Sequence, residues 1–292
     1  MKNENGMTKL KLEYLLLMCT YGCLGPVVRG ISLPTIVIVC GRAVISAVTL
    51  FLVLIVTGRK HLKKCRGFLL PMMISGVFLA VDWIGLFGSY RYTTIATATL
   101  CYYVVPVLVI LGAAAFLGEK LTARKLICSA VAFAGMVFVS GAAESGLPTF
   151  AEIKGVLLAL LGALGYAAVI LINRKYPEGD PLSRTFLQLC TAAVIMSAYV
   201  LRTTDLNTWS VDLKGILLLL FLGVVMTGFA YVLYFRLIVR ISAQSVAFFS
   251  YADPVVAVLI SVFLLREPFS VFTMAGAVMI IGAAIVVERQ KQ

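Results

Sequence analysis

Long apolar stretches recur along the chain, separated by short polar segments. Six of them contain no Asp, Glu, Lys or Arg, and four more are found when one internal charge is accepted. Each is long enough to cross a hydrocarbon core of about 30 Å as a helix. Apolar and polar residues do not alternate within them, which favours helices over barrel strands. The ten predicted spans are residues 12–28, 33–57, 67–90, 92–118, 126–143, 155–173, 185–201, 215–235, 241–265 and 268–287.

The composition supports a membrane protein. Hydrophobic residues make up 61% of the chain and charged residues 13%, and the mean hydropathy is +1.03. Soluble domains contain about 45–50% apolar and about 25% charged residues. This excess of apolar side chains must face lipid, where helices satisfy the backbone polar groups. The sequence therefore predicts an all-α membrane protein of ten transmembrane helices, with the lipid bilayer as a partner.

The positive charges indicate an orientation. Most of the 25 Lys and Arg residues fall in alternate loops, and the densest cluster lies between residues 59 and 66. Lys and Arg are retained on the cytoplasmic side of a membrane. We therefore predict a multi-pass protein of the plasma (inner) membrane with both termini in the cytoplasm. The same loops account for the net charge of +12, so no nucleic-acid partner is expected.

Cysteine and histidine do not form a metal-binding pattern. The seven cysteines lie mostly inside apolar stretches and form no CxxC pair, which is typical of small core residues. The single histidine, His61, lies in a basic loop, so a histidine-based site is not expected. We predict no metal and no cofactor. No small-residue cleavage site accompanies the first apolar stretch, which we interpret as a retained helix.

An internal repeat divides the chain into two halves. The first half is residues 1–141, the second half is residues 153–292, and residues 142–152 are the predicted linker. Five spans per half is an odd number, so the second half enters the membrane with opposite polarity. Such inverted five-helix repeats are related by an axis in the membrane plane, which places solute sites near the midplane. A shift of the sequence by 148 residues aligns Thr97 with Ser245, Tyr103 with Tyr251, Pro106 with Pro254, and Glu119 with Glu267.

Matching motifs in the two halves resemble a known family. In the first half, Tyr102-Tyr103-x-x-Pro106 is followed by Glu119 in the sequence GEK. In the second half, Tyr251-x-Asp253-Pro254 is followed by Glu267 in the sequence REP. The chain resembles, over nearly its whole length, the paired EamA repeats of the drug/metabolite transporter superfamily. The resemblance implies a ten-helix transporter, and solutes in this superfamily include amino acids, other metabolites and drugs.

Two acidic residues lie inside predicted spans. An isolated acid at the centre of a membrane helix costs about 2.5–3.5 kcal/mol, so Asp82 and Asp253 should face protein or water. We interpret both as substrate-binding and proton-coupling carboxylates. The alternative for Asp82 is a structural pair with Arg42 or with a backbone group. The alternative for Asp253 is stabilisation of a helix distorted by Pro254.

Aromatic residues at similar depths are candidates for the walls of a cavity. A tyrosine deep in a span needs a hydrogen-bond partner, which favours a cavity over lipid. Such rings together with two acids would suit an amino or quaternary ammonium group through cation–π contact. The alternative is ordinary packing or an interfacial position. The predicted substrate-binding aromatics are Tyr21, Trp83, Tyr102, Tyr103, Tyr166, Tyr231, Phe249 and Tyr251.

Five further residues are predicted to have structural roles. Pro106 and Pro254 would kink their spans, and Glu119 and Glu267 would anchor or cap the ends of theirs. Arg42 would pair with an acid inside the membrane or extend to the interface. The alternative for the glutamates is contact with the solute, and for Arg42 it is contact with a solute carboxylate.

The function that these patterns favour is secondary transport, and the chain is not expected to be an enzyme. It would move small amphipathic metabolites by alternating access, with export of amino acids or related amines coupled to protons. No GxxxxGK[ST] motif is present, so the energy would come from a gradient or from the solute. Three alternatives stay open: uptake of a cationic amine such as choline, an intramembrane enzyme, and a passive channel. Ten spans can enclose a pathway, so a monomer is expected, and a homodimer is left open.

Overall fold

The computed structural model describes residues 2–57, 69–93, 98, 101–139, 153–205, 210–263 and 271–288. These residues form α-helices and one π-helical segment, Leu222–Phe229, and no β-strand occurs among them. The α-helices are α1 (Lys2–Gly22), α2 (Leu24–Arg29), α3 (Thr35–Thr57), α4 (Leu69–Ser89), α5 (Val105–Leu117), α6 (Ala123–Val139), α7 (Ile153–Lys175), α8 (Pro181–Thr203), α9 (Leu213–Phe221), α10 (Ala230–Ile238), α11 (Ala243–Ser250), α12 (Ala252–Phe263) and α13 (Val271–Glu288).

Several helices have the length and composition of membrane spans. In the described part of the chain, five are long and apolar enough to cross a membrane. Large apolar side chains point outwards from the bundle, and Val56, Val194 and Val271 are exposed by 86%, 66% and 75%. Such an apolar surface suits contact with lipid tails rather than water. The five spans are Thr35–Thr57, Leu69–Ser89, Ile153–Lys175, Pro181–Thr203 and Leu213–Ile238, and the last contains the π-helical segment.

Contacts between helix termini define the two ends of the bundle. Glu119, which follows α5, contacts Arg174 in the last turn of α7 and Ala243 at the start of α11. We call this the N-terminal end of the bundle. At the opposite end, which we call the far end, Gly155 in the first turn of α7 packs against Thr93, which follows α4.

The first helix runs in the direction opposite to α7. The hydroxyl groups of Tyr14 in α1 and Ser250 in α11 share a hydrogen bond of 2.9 Å. Gly22, the last residue of α1, packs against Val256 in α12. The helix α1 is therefore parallel to α11 and α12, and it begins at the N-terminal end. Since α7 ends there, the opening helices of the two halves are antiparallel.

The helices α4 and α7 approach each other closely through glycine. A Cβ atom added to Gly85 would lie 2.6 Å from the backbone nitrogen of Gly162. A Cβ atom added to Gly162 would lie 2.9 Å from the carbonyl oxygen of Asp82. Small residues allow this close packing of membrane helices. The packing fixes the backbone of Asp82 at the contact between the two halves.

Both motif prolines lie just after a break in a helix. The helix α5 begins at Val105 and has Pro106 in its first turn. Similarly, α12 begins directly after Tyr251 and has Pro254 in its first turn. Proline is tolerated in a first helical turn because the amide that it lacks would have no intrahelical partner there. The helices are interrupted beside both prolines and the motif tyrosines lie at these interruptions, while the kinking of the two spans stays a prediction.

A buried polar network joins α4, α7 and α8 near the N-terminal end. It consists of Ser75, Asn173, Arg184 and Gln188, each at most 1% exposed. The side-chain amide of Asn173 donates to Gln188 at 2.7 Å and to Ser75 at 3.1 Å, and Arg184 donates to Asn173 Oδ1 at 3.0 Å. The helix α8 begins at Pro181, before the predicted span of residues 185–201. Arg184 in its first turn caps the end of α7 by donating to the carbonyl oxygen of Asn173.

Four predicted features lie outside the described residues. They are Thr97, Glu267, the linker of residues 142–152 and the basic cluster of residues 59–66.

Candidate solute-binding site

A cavity of about 240 Å³ lies between the two halves. Pockets for drug-sized ligands typically measure about 300–1,000 Å³, so this volume favours a small solute. The cavity brings together eight of the ten predicted substrate-binding residues. They are Tyr21, Asp82, Trp83, Tyr102, Tyr103, Tyr166, Tyr231 and Asp253.

The two acids reach the cavity from different halves. Asp82 in α4 is 2% exposed, and its Oδ1 atom has no hydrogen-bond partner in the described part of the chain. Asp253 lies in the first turn of α12. The consecutive residues Tyr102 and Tyr103 lie beside Asp82 and Asp253, respectively. The helix break before α5 thus places one tyrosine next to each carboxyl group.

Arg42 also lies in the lining of the cavity. Its guanidinium carbon is 4.7 Å from the centroid of the Trp83 ring and 5.8 Å from that of Phe87. The side chain is 8% exposed, and its Nε atom has no hydrogen-bond partner among the described residues. It is close enough to Asp82 for an electrostatic interaction. This position is compatible with the predicted pairing of Arg42 with an acid, and both that role and the alternative of contact with a solute carboxylate stay predictions.

Tyrosine rings form a continuous wall of the cavity. The rings of Tyr102 and Tyr166 are stacked with centroids 6.1 Å apart, and those of Tyr166 and Tyr234 are stacked at 6.3 Å. The hydroxyl of Tyr166 donates to that of Tyr234 at 2.7 Å. Tyr21 meets Tyr231 edge to face at 6.0 Å, and its buried hydroxyl has no partner within the described ranges. A buried hydroxyl group without a hydrogen-bond partner is energetically costly. The Tyr21 hydroxyl would be stabilised by a hydrogen bond to a ligand.

The remaining two predicted aromatics lie outside this lining. The ring of Tyr251 stacks on the outer side of Tyr103 at 6.5 Å. Phe249 and Tyr251 face an apolar groove of about 430 Å³ between α1, α11, α12 and α13. The structure therefore places these two side chains behind the wall of the cavity rather than on its surface, and their role in binding stays a prediction.

Sequence reasoning missed other lining residues, among them Tyr234 and Ser250. Tyr234 follows Tyr231 by three residues, a spacing that places both on one helical face and could have identified it. Ser250 gave no such signal. Its hydroxyl donates to the carbonyl oxygen of Val246 at 2.7 Å and meets the hydroxyl of Tyr14.

The cavity extends towards the far end of the bundle. Its lining continues from mid-depth to Leu24 in α2 and to Tyr90, directly after α4. In the other direction the helices are closely packed, and Tyr14, Ile238 and Val246 are at most 1% exposed. The structure is therefore closed between the cavity and the N-terminal end. Glu119 lies at that closed end, which agrees with an anchoring role.

A helical membrane bundle that holds a polar, aromatic cavity between two halves has the architecture of a membrane transporter. The sequence matches the EamA-like transporter family over residues 12–141 and again over residues 153–289. The chain belongs to this family, which confirms the resemblance to the drug/metabolite transporter superfamily. Proteins of the family are in general transporters and not enzymes.

Several known proteins are similar over most of their length. An uncharacterized transporter of Bacillus subtilis (strain 168), YxxF, is 24% identical over 286 residues, which cover 96% of this chain and 90% of YxxF. An uncharacterized transporter of Archaeoglobus fulgidus is 26% identical over 83% of this chain and 85% of its own. The S-adenosylmethionine uptake transporter of Rickettsia bellii is 22% identical over 84% of this chain and 80% of its own. A solved crystal structure shares the fold, with a TM-score of 0.81 and 19% identity over 99% of both chains.

Proposed function

We propose that the protein is a secondary transporter that moves small amphipathic metabolites by alternating access. The observation that carries this proposal is that Arg42, Asp82 and Asp253 line one aromatic cavity between the halves. Charged groups at membrane depth are costly unless they have polar partners, and they commonly mark solute and ion pathways. Two of the three have buried polar atoms without a partner among the described residues, which supports a ligand in this cavity.

The proposed topology is ten spans in two inverted repeats. The antiparallel directions of α1 and α7 support it, because an odd number of spans per half reverses the second half. The distribution of Lys and Arg supports cytoplasmic termini in the plasma membrane. With this orientation, the N-terminal end is cytoplasmic and the cavity extends towards the outside. A single chain encloses the cavity, which supports a monomer.

The proposed solutes are amino acids or related amines. The guanidinium of Arg42 can bind a carboxylate through paired hydrogen bonds, and Asp82 or Asp253 can bind an ammonium group. The surrounding rings can contact the cation through their faces. One relative is named as an S-adenosylmethionine uptake transporter, and S-adenosylmethionine is a positively charged amino-acid derivative. This name supports the solute class and leaves the direction of transport to experiment.

Proton coupling is assigned to Asp82 and Asp253. Each acid belongs to a different half and lies in the cavity beside a tyrosine hydroxyl. An acid that binds a proton in one state and the solute ammonium in another makes the two occupants compete. Such competition would link export of the solute to entry of protons, which is the proposed direction.

Ligand-induced stabilisation of the purified protein tests the proposal. A ligand that binds only the folded state raises the unfolding temperature. We expect stabilisation by zwitterionic amino acids, and we expect Asp82→Asn or Asp253→Asn to remove it. The matched control is Asp180→Asn, because Asp180 caps α8 outside the cavity and asparagine caps equally well. Transport by both cavity variants is also measured in vesicles. If both transport at the wild-type rate with unchanged pH dependence, the assignment of binding and proton coupling to Asp82 and Asp253 is wrong.

Uptake of a cationic amine is the second candidate, and the wall of tyrosine rings with two acids favours it. Arg42 separates the two candidates. If the solute is zwitterionic, Arg42→Gln should weaken its binding at least about tenfold, since charge-assisted hydrogen bonds each contribute roughly 1.5–3 kcal/mol. If the solute is a simple amine, the same change should leave binding unchanged or strengthen it by removing a like charge. Isothermal titration with an amino acid and with its decarboxylated amine makes this measurement.

A passive channel and an intramembrane enzyme are the remaining alternatives. The packed N-terminal end opposes a channel, which would show ion conductance instead of saturable flux. Family membership opposes an enzyme, since proteins of this family are in general transporters.

A further inference from the structure

A cluster of three polar side chains joins four helix termini at the N-terminal end of the bundle. Glu119 Oε1 accepts a hydrogen bond from Arg174 at 2.6 Å and another from the backbone nitrogen of Ala243 at 3.4 Å. Glu119 Oε2 accepts from the side-chain amide of Gln244 at 2.6 Å. We call Glu119, Arg174 and Gln244 the closing cluster. Both oxygens of the glutamate are therefore occupied, and one residue that follows α5 binds α7 and α11 together.

Arg174 extends the closing cluster to α10. Its NH1 atom donates to the carbonyl oxygen of Ile238, the last residue of α10, at 2.6 Å, and it also donates to that of Ile241. A cation at the C-terminus of a helix and an anion at the N-terminus of another are both favoured by the helix dipoles. Arg174 and Glu119 occupy these two positions at α10 and α11. The ion pair between them connects the two helix ends.

The closing cluster is more enclosed than a surface ion pair. The side chains of Arg174 and Glu119 are 12% and 20% exposed, and Gln244 is 7% exposed. Exposed ion pairs contribute little because water and salt screen them. Less screening applies here, and each charged group also has neutral hydrogen-bond partners. Removal of one charge should therefore weaken the hydrogen bonds of the whole closing cluster.

The position of the closing cluster suggests its function. It joins α5 of the first half to α7, α10 and α11 of the second half, and it lies between the cavity and the N-terminal end. The halves cannot separate at this end unless Glu119 releases its partners. We propose that the closing cluster is the contact that keeps the N-terminal end of the transport pathway shut and that must break when this end opens. This inference rests on the proposed transport function.

Removal of the Glu119 charge should favour the open state. Glu119→Gln keeps the size of the side chain but loses the ion pair with Arg174, and it places the amide group that it introduces against the amide of Gln244. A lost charge-assisted hydrogen bond corresponds to about a tenfold or larger change in the ratio of closed to open molecules. Gln244→Glu should have the same effect, because it places a second carboxylate against Glu119. The double variant Glu119→Gln/Gln244→Glu exchanges the two side chains and should restore much of the closure.

Labelling of a cysteine in the cavity tests the proposal without a solute. Ser250→Cys, in a chain whose native cysteines are replaced by serine, is exposed to a membrane-impermeant maleimide in vesicles of each orientation. With the closing cluster intact, we expect reaction from the far end only. With Glu119→Gln or Gln244→Glu, we expect the rate from the N-terminal end to rise about tenfold, and the exchanged double variant should label slowly again.

The control variant decides between loss of a local contact and general loosening of the bundle. Asp180→Asn removes a carboxylate at the same end and should leave labelling unchanged. Unchanged labelling in folded Glu119→Gln and Gln244→Glu proteins, or an equal increase in Asp180→Asn, would overturn the proposal. If Glu119→Gln does not fold, Gln244→Ala removes one hydrogen bond to the Glu119 carboxylate and should raise labelling about tenfold, so no increase there would overturn it too. A negative result leaves the ligand-stabilisation test of solute binding unaffected, because labelling requires no solute.

Discussion

The polar network and the cavity both use α4 and α7, yet the hydrogen bonding of their buried polar side chains differs. The helix α4 contributes Ser75 to the network and Asp82 to the cavity. In the network, Ser75, Asn173 and Gln188 bond to one another, and one atom, Arg184 Nε, lacks a partner among the described residues. In the cavity, three side chains have a buried polar atom without a hydrogen-bond partner among the described residues: Tyr21, Arg42 and Asp82.

This difference separates two uses of polar residues within a membrane. A network with satisfied hydrogen bonds fixes how three helices pack, because any other arrangement leaves buried polar groups unpaired. Side chains whose polar atoms have no partner do not determine how the helices pack. The free-energy cost of burying those atoms falls when a ligand forms hydrogen bonds with them. Both regions contain buried polar side chains, and the hydrogen-bond partners of each atom separate the two uses.

The largest expected effect comes from breaking the network. Asn173→Ala removes the side chain that links Ser75, Arg184 and Gln188, and it should lower the free energy of unfolding by about 3 kcal/mol because several buried groups lose their partners. Solute binding by the folded fraction should change little. Asp82→Asn is the counterpart in the cavity and should abolish solute binding with unchanged or higher stability. Denaturation curves and ligand titrations of both variants check this, and equal loss of stability in the two would remove the distinction.

An intermediate effect is expected at the glycine contact between α4 and α7, the two helices that the network and the cavity share. Gly85→Ala places a methyl group against the backbone of Gly162, so α4 and α7 must move apart, at a cost of about 1–3 kcal/mol. Both the stability that the network gives and the solute affinity of the cavity should decrease. Gly88→Ala is the matched control, since a Cβ atom there meets nothing within 4 Å. Unfolding temperatures compare the two variants, and a similar loss in both would mean that helix contact is not the cause.

The smallest expected effect concerns the wall of the cavity. Tyr166→Phe removes the hydrogen bond to Tyr234 and keeps the stacked rings, so the expected loss of stability is about 1 kcal/mol. Solute affinity should fall by no more than about tenfold, because the unpaired polar atoms of Asp82 and Arg42 stay in place. Tyr199→Phe, outside the cavity, serves as the comparison. A larger loss of affinity for Tyr166→Phe would assign the solute contact to its hydroxyl.

The charged residues of the site were predictable from the sequence, because burying a charge in lipid is energetically costly. Asp82 and Asp253 stand out in a sequence because isolated acids in apolar stretches require a reason, and the structure brings both to one cavity. Arg42 stood out in the same way, but the sequence could not reveal that Trp83 and Phe87 hold it beside Asp82. Its surroundings depend on how α3 packs on α4.

The network escaped prediction for a related reason. Ser75, Asn173 and Gln188 are uncharged and common in membrane helices, so none indicates a function by itself. Their hydrogen bonds exist only because faces of α4, α7 and α8 meet, and no pattern along one helix contains this information. Five helices that are long enough to span a membrane were predictable from hydropathy, whereas the helix interruptions before Pro106 and Pro254 required the positions of neighbouring helices.

The stacked rings of Tyr103 and Tyr251 come one from each half of the chain. These residues occupy the same position in the two repeats, and their rings lie 6.5 Å apart. In a two-fold arrangement, only residues close to the rotation axis touch their own counterparts. Under the proposed inverted repeat, the axis passes between these two rings. Under that repeat, the two halves therefore meet on the axis through a pair of equivalent tyrosines.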